Sequence, residues 1–206
     1  FRWTTGSGIM SIGAFANHFG SRAHGVSPDG SVVVGESFGG ATGNVAFRWS
    51  AKNGMLGLAD QAGGIFFGQA TDVSENGAVI VGSGTETAFR WTAATGAIDL
   101  GVLERDHESR ARGVSADGSI VVGSIINTQD FIFSRAFRWA GSMSEIGSLA
   151  EGMGSGAAAI SSNGAFIVGG ATSHSGGEAF LSVGGAGMVG LGDLPGGNFF
   201  STAYGV

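Results

Sequence analysis

The stretch that decides the fold runs from Arg22 to Leu58, RAHGVSPDGSVVVGESFGGATGNVAFRWSAKNGMLGL. Its parts return along the chain. QATDVSENGAVIVGS (69–83) is followed by TAFRWTAATGAIDL (87–100), RARGVSADGSIVVGS (110–124) by RAFRWAGSMSEIGSL (135–149), and GAAAISSNGAFIVGG (156–170) by EAFLSVGGAGMVGL (178–191). Two anchors measure the period. The apolar residue of the GVS motif falls at Val26, Val73, Val114, Ile160 and Val206, in steps of 47, 41, 46 and 46 residues. The phenylalanine of AFRW falls at Phe1, Phe47, Phe89, Phe137 and Phe180, in steps of 46, 42, 48 and 43. Self-similarity at such a period marks supersecondary units stacked on one another. The whole chain therefore reads as a single repeat domain: a half-repeat at 1–21, repeats at 22–68, 69–109, 110–155 and 156–201, and a partial repeat at 202–206.

Each repeat reads as four short strands, A to D. Strand A (Ala23–Ser27) leads into Asp29-Gly30, with Asn76-Gly77, Asp117-Gly118 and Asn163-Gly164 at the same place in the other copies. Asx-Gly between apolar segments is a hairpin signal, and a primed turn with positive φ at both residues is the expected geometry. Strand B (Ser31–Ser37) is apolar at successive positions, as in a strand covered on both faces, and a glycine follows its apolar run in every copy. Strand C (Ala46–Ser50) alternates, with Phe47 and Trp49 on one face and Arg48 on the other. After a small turn comes strand D, Met55–Leu58. Four antiparallel strands in 40-odd residues make a β-propeller blade. The fold expected is all-β, a propeller of about five blades with one incomplete. The competing arrangement is a β-solenoid. The leading half-unit and the last A segment, Thr202–Val206, are expected to meet and close a five-blade ring.

Composition narrows the function. The chain has 206 residues and 41 glycines, far above the ordinary share of about 7%. It has no cysteine, so disulfides and thiolate metal sites are excluded. The net charge is −6, and its 10 Lys and Arg are spread over the repeats rather than clustered, which argues against nucleic acid as a partner. No apolar run approaches the ~18 residues of a membrane helix, so this segment is not expected to insert in a membrane.

The pattern AxGVSxDGSxVVGxS…AFRWT…GMxxLGxL resembles the HAF repeat of bacterial extracellular-repeat proteins. Gly25-Val26-Ser27, Asp29-Gly30, Val33-Val34-Gly35, Ala46-Phe47-Arg48-Trp49 and Gly54-Met55 carry the likeness, and it extends through nearly the whole chain. The last repeat departs from it, with Phe180-Leu181-Ser182-Val183 in place of Phe-Arg-Trp. The resemblance implies an exported or cell-surface protein of a Gram-negative bacterium, in some cases an autotransporter passenger. It implies no reaction.

Candidate residues divide by whether they recur. Arg48, Arg90 and Arg138, Trp49, Trp91 and Trp139, and the four Asx-Gly pairs occur in the same phase of successive repeats, so they are read as serving the blade. Asp and Asn exchange freely in the turn, which removes the case for a metal there, and no cofactor is expected. The irregular loops are where binding specificity would sit on such a scaffold. Arg105 and His107 lie in the one dense charge cluster, and Phe131 and Phe133 in another unrepeated stretch. The function expected is a non-catalytic interaction module, an adhesin or passenger that meets protein or glycan. The alternative is a structural subunit that assembles with copies of itself through its terminal half-repeats. An enzyme would need acids converging from different blades, and nothing selects among Asp60, Asp72, Asp99 and Glu145.

Overall fold

The computed structural model describes residues 1–40, 43–60, 62–64, 66–103, 107–127, 134–150, 154–196 and 199–206. A hairpin of β1 (Arg2–Thr4) and β2 (Gly8–Met10) comes first. Four antiparallel meanders follow: β3–β6 (Gly20–Val26, Val32–Gly40, Gly43–Ser50, Gly54–Gly57), β7–β10 (Gln69–Val73, Val79–Ser83, Ala88–Thr92, Gly96–Asp99), β11–β14 (Glu108–Val114, Val121–Ile126, Ser134–Trp139, Met143–Gly147) and β15–β18 (Ser155–Ile160, Phe166–Ser173, Gly176–Val183, Val189–Gly190). These are the A, B, C and D strands of four β-propeller blades, and β1–β2 is the C–D half of another. Every named strand pair is antiparallel, so the parallel rungs of a solenoid are not found among the described residues. No helix among them is long and apolar enough to cross a membrane.

The core lies between blades. Val32, Val34, Ala46 and Leu58 of the first pack on Ala70, Val73, Ile80, Phe89 and Ala97 of the second. The second and third meet in the same way around Val79, Val81, Val121 and Phe137, and the third and fourth around Val122, Ile146, Ile167 and Phe180. Of the five AFRW-position phenylalanines, Phe47, Phe89, Phe137 and Phe180 are fully buried, while Phe1 in the leading half-blade is exposed. A blade thus buries one face on the next, as repeat arrays do.

Every A strand carries a bulge at the same place. The register slips between Ala23 and Gly25, Ala70 and Asp72, Ala111 and Gly113, and Ala157 and Ala159, leaving His24, Thr71, Arg112 and Ala158 as the extra residues. Opposite each bulge stands the glycine that ends the apolar run of strand B. A Cβ on Gly35, Gly82, Gly123 or Gly169 would lie 1.9–2.0 Å from a carbonyl oxygen of the A strand. That close approach is why the position is glycine.

The Asx-Gly hairpin stands where the sequence puts it, but its geometry differs from the primed turn expected. Only the glycines have positive φ, at 67° in Gly30 and Gly77 and 73° in Gly118 and Gly164; the Asx residues do not. The Gly30 N–H donates to the Ser27 carbonyl at 2.7 Å and the Ser27 N–H to the Val32 carbonyl at 2.9 Å, so residues 27–30 form an ordinary turn with glycine at its fourth place. The Asx side chain explains the difference. Its oxygen is held by the preceding serine and by the N–H two residues on, a local turn that fixes Asx at negative φ. Gly77, Gly118 and Gly164 also rest on the preceding blade, where an added Cβ would meet Val32, Val79 and Ile120 at 2.7, 2.4 and 2.6 Å.

The expected pairing of the two ends is not made. Among the described residues no backbone hydrogen bond joins 202–206 to β1 or β2, and 202–206 form no strand. The segment continues the array instead: the Ala203 N–H reaches the Gly169 carbonyl at 3.3 Å. An A strand pairs with B and a C strand with B, so without an intervening B strand the two halves have no edge in common. Both flanks of the array consequently show apolar side chains, Phe1, Trp3, Ile9 and Val26 at one and Val183, Val189 and Leu191 at the other.

Candidate functional site

The meander brings two kinds of connection to opposite ends of each blade. A–B and C–D turns gather at one end. B–C loops and D–A links gather at the other. The two ends differ in chemistry.

At the turn end, four copies of one polar cluster repeat. The hydroxyls of Ser27, Ser74, Ser115 and Ser161 donate to the Oδ1 of Asp29, Asn76, Asp117 and Asn163 at 2.6–2.9 Å. Each of these hydroxyls accepts the N–H that opens strand B, from Val32, Val79, Ile120 and Phe166 at 2.9–3.0 Å. Each Asx oxygen also accepts the N–H two residues on, at 2.9–3.0 Å. Neighbouring turns are tied in a row, the Glu75 N–H donating to Ala116 and the Ala116 N–H to Ser162 at 3.1 and 2.9 Å. These groups satisfy one another, so the turn end is built for the blade.

The hydroxyl of Ser27, the Ser31 N–H and then the Ser31 hydroxyl hold Asp29 at a pKa of about 2, below the usual 3.8, and Ser115 and Ser119 do the same for Asp117. A carboxylate with a depressed folded pKa supports the fold above its unfolded value, and that support is lost as pH falls toward the folded one. Replacing Asp29 and Asp117 together by Asn, as at Asn76 and Asn163, is therefore expected to flatten the pH dependence of the melting temperature between about pH 4 and pH 2, which thermal melts across that range would read. Asp72 runs the other way. Burial raises its pKa, against hydrogen bonds from the Val114 and Val73 N–H groups, so it weakens the fold as pH rises past 3.8. The two windows do not overlap.

The repeated arginines and tryptophans are divided by the structure. Arg90 Nε donates to the carbonyl of Gly118 in the next blade's turn at 3.0 Å. Arg48 lies beside the equivalent Gly77, and Arg138 against Gly185. Trp49 is buried, Trp91 and Trp139 pack half-buried on the interblade cores, and Trp3 is exposed under no neighbouring blade. The sequence reading missed a second repeated serine. The hydroxyls of Ser109, Ser155 and Ser201 accept the N–H of Ala88, Ala136 and Ala179 in the preceding C strand at 2.8–3.0 Å. They donate to Gly101 and Gly192 in the preceding D–A link and to Gly147 at the end of the preceding D strand, at 2.6–2.9 Å. The signal was available: a serine stands five residues before the GVS-position apolar residue at Ser21, Ser109, Ser155 and Ser201.

The loop end carries the irregular chemistry. A groove of about 590 Å3 opens there, lined among others by Glu36, Gln69, Ser83, Glu86, Glu108 and Arg110. It draws on the B strands of two blades and the A strands of the second and third. Glu36 is buried at 5% exposure, and its carboxylate accepts Asn44 Nδ2 at 2.6 Å and the exposed Arg22 at 3.2 Å, with His24 Nε2 at 3.7 Å. Glu108 pairs with Arg110 at 3.0 Å. Ser83 is 7% exposed, and among the described residues its hydroxyl has no hydrogen-bond partner. Of the loop residues singled out from sequence, His107 is exposed and adjoins Glu108 at the groove, while Arg105, Phe131 and Phe133 lie outside the described residues. Among the described residues no three His, Asp or Glu gather as metal ligands.

No protein-family model matches the chain, and no curated protein matches it with significance. Solved structures do. TolB from Acinetobacter baumannii superposes with a TM-score of 0.56 at 13% identity, over 95% of this chain and 48% of that one. A protein described as a TolB from Agrobacterium tumefaciens gives 0.58 at 15% identity, over 87% of this chain and 64% of that one. The chain thus spans about half to two thirds of the length of the structures it matches. At such identities the likeness is one of architecture, and the architecture is the β-propeller.

Proposed function

We propose that this chain is a non-catalytic interaction module of the bacterial cell envelope or surface, meeting protein partners with its loop end. One contrast carries the reading. Polar groups at the turn end are consumed by repeated contacts within the blade, whereas the loop end holds an unrepeated polar groove on a rigid scaffold, the usual place for recognition. The likeness to TolB supports a protein-binding propeller of the envelope. The HAF-repeat pattern supports export, with an adhesin or autotransporter passenger as the specific form and a glycan as the other ligand class.

A second reading has its own observation. The apolar flanks at Trp3 and Ile9 and at Val183 and Val189 would suit head-to-tail association with further copies. One experiment separates the two. The purified protein is probed on arrays of envelope proteins and of glycans, beside Thr85→Arg at the loop end and Asp117→Asn at the turn end, with light scattering of the same samples. The interaction reading expects micromolar binding that Thr85→Arg abolishes and Asp117→Asn leaves intact. No binding at high micromolar concentration overturns it, and a monomer at all concentrations removes assembly.

A further inference from the structure

The groove has a charge and a vacant hydrogen-bonding group that together name a ligand class. Three carboxylates line it, from Glu36, Glu86 and Glu108. Glu36 is met by Arg22 and Glu108 by Arg110. Among the described residues Glu86, which is exposed, has no ion-pair or side-chain hydrogen-bond partner. Ser83 independently points to a ligand: more than nine-tenths buried on the groove wall, its hydroxyl has no hydrogen-bond partner among the described residues. A buried hydroxyl left without a partner is costly, which favours a ligand in the groove that can reach it. The repeat sharpens the point. The position after the strand-B glycine is Glu36, Ser83, Ser124 and Gly170 in turn, so these groups are not required by the blade.

We propose that the groove takes a basic peptide segment, a lysine or arginine side chain resting by Glu86 while the Ser83 hydroxyl donates to a peptide carbonyl. This rests on the reading of the loop end as the recognition face and adds its partner's chemistry. A metal ion is disfavoured by the absence, among the described residues, of three clustered ligands, and the volume of about 590 Å3 is that of an organic ligand or peptide side chains. The net charge of −6 attracts a cation at long range.

The test is fluorescence anisotropy with a labelled Ala-Lys-Ala-Lys-Ala peptide and its Ala-Glu-Ala-Glu-Ala counterpart. The basic peptide binds, and more weakly as salt rises; the acidic one does not. Glu86→Gln weakens binding about fivefold and flattens the salt dependence, as loss of one exposed charge pair does. Ser83→Ala, which breaks no hydrogen bond among the described residues, does not lower the melting temperature and weakens binding severalfold. Equal binding of the two peptides, or variants that bind as the parent does, would overturn the proposal. If neither peptide binds while envelope proteins still bind and Thr85→Arg still abolishes that binding, the basic ligand is wrong and the recognition face stands. If nothing binds, both fall.

Discussion

Gly123→Ala is expected to destabilise the chain by about 4 kcal/mol or more, at the far end of what single substitutions do. The added Cβ would stand 2.0 Å from the Arg110 carbonyl oxygen, 2.9 Å from Phe137 Cε1 and 3.0 Å from Ala111 Cα. No flexible side-chain end can yield. The carbonyl belongs to bulged β11, which is paired along β12, and the phenyl ring is fully buried between blades. Glycine to alanine in a compatible site gains about 0.4–1 kcal/mol by restricting the unfolded chain. The clash exceeds that several times over. Gly6→Ala is the control, because an added Cβ there meets nothing within 4 Å. It should change stability by no more than about 0.5 kcal/mol. Urea titrations of the two variants, followed by tryptophan fluorescence, give the comparison. A Gly123→Ala midpoint close to that of Gly6→Ala would mean that the bulge is not held as described.

Phe137→Ala should cost about 3–5 kcal/mol, the range for a buried aromatic cut back to a methyl. The ring is 0% exposed and is shared by two blades, with Val81, Ala88 and Leu100 on one side and Ala111, Val121 and Ile125 on the other. Its loss therefore loosens a junction as well as a sheet. Trp3→Ala removes a larger side chain from the same motif at a site 60% exposed. It should cost about 1 kcal/mol or less, since little apolar area leaves water there on folding. Thermal and urea denaturation measure both. Similar losses from the two would show that motif identity, rather than burial, sets the contribution.

Much of the blade was legible because the signals are local. The alternation at Phe47, Arg48 and Trp49 and the apolar run at Val32, Val33 and Val34 placed β5 and β4 within a few residues, and Asx-Gly placed the hairpin. Its dihedral angles were not legible, because they depend on which way the Ser27 hydroxyl turns. The glycine after strand B is visible in the sequence, but the bulge at His24, Thr71, Arg112 and Ala158 is not, since four different side chains occupy it. The groove was legible only in part, since the unrepeated loop at His107 points to its rim but not to the strand residues that line it. It joins Glu36, Ser83 and Glu108 from three repeats, and these residues do not recur together from one repeat to the next. The termini do not pair because an A strand and a C strand each exchange hydrogen bonds with a B strand, and none stands between them.

The row of turns has a polarity. The two middle A–B turns each give one amide hydrogen to the repeat after them, Glu75 to Ala116 and Ala116 to Ser162. A unit moved elsewhere in the array would find the same acceptor ahead and the same donor behind, whatever its loops carried at the opposite end. Duplication, loss or exchange of whole units then leaves the junctions intact and frees the recognition surface to diverge. Pro28 occupies the donor's place in its own repeat and has no hydrogen to give. A unit that opens its turn with proline interrupts the row on its forward side, so it is the one copy that could not be moved inward without severing that thread.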